Sequence, residues 1–68
     1  MQGIESKLDK AYHGKSAQEL ADAPVDAIKG VSPGDATLLA QAFGIKTVKD
    51  LGTNKFFLTA QAIAHLAS

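Results

Sequence analysis

The sequence predicts an all-α domain of four to five short helices, and three observations predict it. Serine or threonine precedes an acid by three residues at Ser16-Glu19, Ser32-Asp35 and Thr47-Asp50. Each pair opens an apolar run, the capping-box signature of a helix N-terminus. Glycine or proline stands between the runs, and no segment alternates as a half-buried strand does.

The elements follow in order. Ile4, Leu8, Ala11 and Tyr12 lie at helical spacing, so a first helix is expected over residues 4–13, with Gly14 as its stop. Glu5 and Asp9 alternate with Lys7 and Lys10 on a solvated face. This N-terminal unit, residues 1–15, is expected to be less securely docked than residues 16–68. Ser16 caps a short helix reaching Asp22 or Ala23. Pro24 then opens or breaks a segment in which Val25, Ala27 and Ile28 supply the buried side of a helix ending at Gly30. Ser32 caps the next helix, with Pro33 at its first position. Its apolar face is Ala36, Leu39, Ala40 and Phe43, and Gly44 closes it with Ile45 just beyond. Thr47 caps one or two turns through Leu51, which Gly52 ends. Thr53 or Asn54 caps a last helix running to about Leu66, with Ala60, Ile63, Ala64 and Ala67 as its apolar stripe and Phe56 or Phe57 joining it.

Composition narrows the function. Sixty-eight residues make one domain, 1–68, and a chain this short buries only about 60% of its unfolded surface. No cysteine means no disulfide framework, thiolate metal site or cysteine nucleophile. Seven lysines balance seven acids with no arginine, unlike the basic excess of proteins that grip nucleic acid. Residues 1–28 carry three lysines and five acids, a balance of −2; residues 29–68 carry four and two, a balance of +2. The first residues have no apolar leader core, and no apolar run approaches the ~20 residues that cross a bilayer, so a cytoplasmic protein without a membrane partner is expected. Three of the acids, Glu19, Asp35 and Asp50, are explained as caps and do not count as catalytic carboxylates.

Residues 28–39, Ile28-Lys29-Gly30-Val31-Ser32-Pro33-Gly34-Asp35-Ala36-Thr37-Leu38-Leu39, follow the pattern apolar-x-Gly-apolar-small-x-x-x-Ala-x-x-apolar. This resembles a helix-hairpin-helix motif. The continuation from Ala42 to Leu51 resembles the segment that accompanies such hairpins in repair and recombination proteins. The likeness covers roughly residues 20–66 and implies a small SAM-like helical domain centred on residues 24–51. In DNA-binding members the turn offers backbone N–H groups to a phosphate, with a nearby base adding charge. Carried over here, that would be Lys29, Gly30, Val31, Ser32 and Gly34, with Lys46, Lys49 and Lys55 nearby. Two departures weaken the carry-over: Ser32 replaces the second glycine, and Gly34-Asp35 stands where a basic residue is common.

Two other groups stand out. Phe56 and Phe57 are neighbours, so on a helix they point about 100° apart and both are covered only if that helix is central. With Tyr12 they are candidate anchors for a partner. His13 and His65 are 52 positions apart with no ligand spacing, so no metal and no cofactor is expected. No nucleophile has an evident base, and no enzyme is expected. The reading is a small non-catalytic module acting through a helical surface on a protein partner or on itself. The alternative is sequence-independent binding of DNA or RNA through the hairpin turn and lysines.

Overall fold

The computed structural model describes residues 3–68; Met1 and Gln2, the start of the expected N-terminal unit, lie outside them. All three capping boxes are formed. Ser16 Oγ accepts the Glu19 N–H at 3.2 Å and the Glu19 carboxylate accepts the Ser16 N–H at 3.0 Å. Ser32 and Asp35 do the same at 3.0 and 3.1 Å, and Thr47 and Asp50 at 3.1 Å both ways. They open α1 (Ala17–Asp22), α2 (Pro33–Phe43) and α3 (Val48–Thr53), and Asn54 opens α4 (Lys55–Ala67). Among the described residues the fold is all-α with four α-helices, within the expected range.

Two expected helices are replaced by extended segments with 3-10 turns. Residues 4–13 form two 3-10 turns, Glu5–Lys7 and Lys10–Tyr12, with Leu8 and Asp9 extended between them. The segment expected as a helix ending at Gly30 is a 3-10 turn over Val25–Ala27, with Ile28 extended. Both departures have one cause. Asp9 N–H donates to the Ala27 carbonyl and Lys29 N–H to the Lys7 carbonyl, each at 2.9 Å, so Leu8 and Ile28 pair as an antiparallel bridge. On the other flank Val25 N–H donates to the Lys46 carbonyl at 3.0 Å and Val48 N–H to the Ala23 carbonyl at 2.9 Å, around a Pro24–Thr47 bridge. An isolated helix of ten residues is marginal in water, and these long-range bonds outcompete it.

The core lies where the paired segments meet. Val25 and Ala27 are fully buried and Ile45 is 1% exposed; Leu8, Leu20 and Ala23 complete the group. Burying Val25 and Ile45 is worth about 1.5–3 kcal/mol each. Gly44 takes φ +68°, so α2 ends with the Gly44 N–H on the Ala40 carbonyl and Ile45 N–H on the Leu39 carbonyl. That turn drives Ile45 inward, as the sequence predicts. Among the stripe residues of α2, Ala36, Leu39 and Ala40 are half-buried, whereas Phe43 is exposed.

α4 departs furthest from expectation. It packs chiefly on α3, and its expected buried stripe, Ala60, Ile63, Ala64 and Ala67, is exposed throughout. The Cα radius of gyration is 12.6 Å, against roughly 11 Å for a closely packed chain of this length. A helix standing away from the core accounts for the difference.

Gly30 adopts φ +98°, and a Cβ there would meet nothing within 4 Å. The penalty for a side chain is therefore conformational rather than a clash. Gly30→Val is expected to lower unfolding stability by on the order of 1–3 kcal/mol in chemical denaturation; an unchanged midpoint would refute the left-handed turn.

Candidate functional site

The site grows out of α4. Asn54 Oδ1 accepts the N–H groups of Phe56 and Phe57 at 2.9 and 3.3 Å, which starts the helix. Its thirteen residues contain Lys55, Thr59, Gln61 and His65 as the only polar ones. At about 100° per residue these four fall within one half of the circumference, with Leu58, Ala62 and Leu66 among them, so the other half, Phe56, Phe57, Ala60, Ile63, Ala64 and Ala67, is wholly apolar. A wholly apolar half is one that ordinarily lies against neighbours. Yet none of its residues is buried: Phe56 is 60% exposed, Ile63 61% and Leu66 87%. Phe57 and Leu58 are exposed as well.

The surface continues onto α2. The Phe43 ring lies 5.4 Å from that of Phe57, edge-on at 66°, and 6.1 Å from that of Phe56 at 51°. Such pairs are worth about 0.5–1.5 kcal/mol beyond area burial, and they are what draws α4 towards α2. Lys55 Nζ sits 5.2 Å over the Phe56 ring. Phe43 in turn lines a shallow hollow of about 330 Å³ with Val31, Leu38, Leu39 and Ala42. Leu38, Phe43, Phe56 and Ile63 thus mark one apolar tract across two helices.

The chain exposes 4953 Å² for a mass of 7.1 kDa. A folded monomer of that mass exposes about 4,100 Å². The chain is thus roughly 850 Å² more open than a closely packed monomer of its mass.

Of the expected anchors, the structure brings Phe56 and Phe57 together and adds Phe43. Tyr12 is half-buried and lines a different hollow, with Lys15, Glu19, Asp22 and Ala23. Leu38, Phe43, Leu58 and Leu66 were missed by reasoning from a single stripe. Plotting α4 around its whole circumference would have found Leu58 and Leu66, which lie outside the stripe among the polar residues.

The phosphate candidates fall otherwise. The amides of Ser32 and Asp35 are already bonded within their box. Asp50 carboxylate accepts the N–H of both Lys46 and Thr47 at 3.1 Å. The starts of α2 and α3 thus each carry their own carboxylate where a phosphate would sit. Val31 is half-buried; Gly30, Ser32, Gly34, Lys46, Lys49 and Lys55 are exposed. Lys29 borders a hollow with Glu5, Asp9, Lys10 and His13, so acids share its surroundings. His13 approaches the Leu8 carbonyl at 3.2 Å and Glu5 at 4.0 Å. Among the described residues no three His, Asp or Glu side chains gather to hold a metal ion, and no helix is long and apolar enough to cross a membrane.

Comparison with protein-family models, with curated proteins and with solved structures gives no match.

The caps also set the response to acid. The N–H groups of Lys46 and Thr47 hold the Asp50 carboxyl below its ordinary 3.8, and that of Ser16 holds Glu19 below 4.5. The Gly14 N–H, bonded at 2.9 Å, lowers Glu5 likewise. The folded chain then binds these protons more weakly than the unfolded chain, so protonation favours unfolding. Stability is expected to hold above the ordinary carboxylate values and to fall as pH drops through and below them. Thermal melts between neutral pH and about pH 2 test this, and Asp50→Asn should lower Tm at neutral pH while flattening the acid limb. An Asn variant with an unchanged melting profile would refute the assignment.

Proposed function

We propose that this chain is a small non-catalytic binding module that docks a protein through α4 and the Phe43 end of α2. The observation that carries the reading is a helix with one wholly apolar half that buries none of its residues. Water is a poor solvent for such a helix, and covering each large side chain recovers about 1.5–3 kcal/mol. The three phenylalanine rings supply the aromatic cluster on which interface energy concentrates. Tyr12, in its separate hollow, is not part of this surface. The turn at Gly30 and the capped α2 keep a helix-hairpin-helix kinship in the proposal, as scaffold rather than site. We place the module in the cytoplasm.

Binding of DNA or RNA through the turn is the second reading. The lysines at positions 46, 49 and 55 favour it; zero net charge and two helix starts filled by Asp35 and Asp50 oppose it. Titrating mixed-sequence DNA at low salt should leave the backbone amide resonances of residues 30–35 and 46–49 in place. Salt-sensitive shifts clustered there would reverse the order of the two readings.

The docking reading is tested by photo-crosslinking. A benzophenone amino acid placed at Phe56 should give a protein adduct in the cells that make this chain. The same probe at Lys10, on the far solvated segment, should give none. Ile63→Asp, at an exposed position on the face of Phe56, should reduce the adduct without changing Tm. No adduct at Phe56 would refute docking through this surface.

A further inference from the structure

We infer that α4 is covered by α4 of a second copy, running antiparallel to it across a two-fold axis; this rests on the docking reading above and names its occupant. Symmetry makes the first argument. A two-fold pair uses the same patch twice and needs no second surface.

Register makes the second. Phe56, Ala60, Ile63 and Ala67 follow the four-three-four spacing of a coiled-coil seam, and all four are exposed. Bulky Phe56 lies near the start of the helix and small Ala67 near its end. A parallel pair sets Phe56 against Phe56 and Ala67 against Ala67, leaving bulk at one end and space at the other. The antiparallel register that sets Phe56 opposite Ala67 also sets Ala60 opposite Ile63. Every layer then joins a large residue to a small one, as close packing requires. Phe43 and Phe57 border the seam.

Charge makes the third. Lys55 is the only Lys, Arg, Asp or Glu in α4, and it occupies the positive end of its own helix dipole. Parallel pairing would bring two Lys55 side chains together. Antiparallel pairing separates them by about 20 Å, the length of the helix, and brings each beside the partner's carbonyl end. The chain has no net charge, so two copies meet without mutual repulsion.

Sedimentation equilibrium of the full chain, at micromolar to millimolar concentration, decides whether it pairs. The wild type should sediment as a dimer. Ile63→Asp should weaken pairing roughly a hundredfold, because it takes an unpaired carboxylate out of water. Ile63 is mostly exposed in the monomer, so far-UV circular dichroism should show this variant folded. Cysteine pairing decides the direction, since the chain has no thiol of its own. Under oxidised glutathione, Phe56→Cys mixed with Ala67→Cys should form the mixed disulfide dimer. Phe56→Cys alone linking to itself would overturn the antiparallel arrangement. A monomeric wild type at all concentrations would overturn self-pairing altogether. In that case an adduct of a different protein at Phe56 would leave the docking reading standing, whereas no adduct would remove both.

Discussion

Residues 23–29 are held from both sides by backbone hydrogen bonds, and the rest of the structure depends on that clamp. Asp9 and Lys29 bond across one flank, Val25 and Val48 across the other, at 2.9–3.0 Å. An extended chain can satisfy neighbours on two edges, whereas a helix spends the same groups on itself. The pairing therefore excludes a helix over 23–29 and breaks the one expected over 4–13. In exchange it brings Leu8, Val25, Ala27 and Ile45 to one point from three distant parts of the chain.

That core is small and lies to one side. It is built from the clamp, α1 and the residue after α2, and no residue of α2, α3 or α4 itself is fully buried. Six buried residues cannot shield four helices, so the apolar surface of α4 is left over. Its link to α2 is the contact of Phe43 with Phe56 and Phe57. Within the fold those rings position the helix; under the proposed docking they would also form the centre of the contact. The surface thus follows from the same constraint that fixes the core.

The carboxylates complete the economy of the chain. Glu19, Asp35 and Asp50 close the N-termini of α1, α2 and α3, and Glu5 accepts the N–H of Gly14. Acids spent on backbone N–H groups are not poised for proton transfer, and the amides they occupy are not open to a phosphate. Four of the seven acids are thus bonded to the backbone.

Local signals were legible. Ser16, Ser32 and Thr47 with their acids marked three helix starts, and Gly30 and Gly44 marked two left-handed turns, because caps and turns are decided within four or five residues. Phe56 and Phe57 were legible as an oddity, since adjacent rings on a helix rarely share one cover. What the residues alone determined was therefore the class of fold, the places where helices begin and end, and the aromatic pair worth watching. Only the tertiary structure decided that 4–13 and 24–30 are extended segments with 3-10 turns, that Phe43 joins the phenylalanines, and that the stripe of α4 faces water. Those outcomes rest on bonds between residues some twenty apart, such as Asp9 to Ala27 and Val48 to Ala23. Apolar periodicity records that a face seeks cover; it does not record whether the same chain has enough core to cover it.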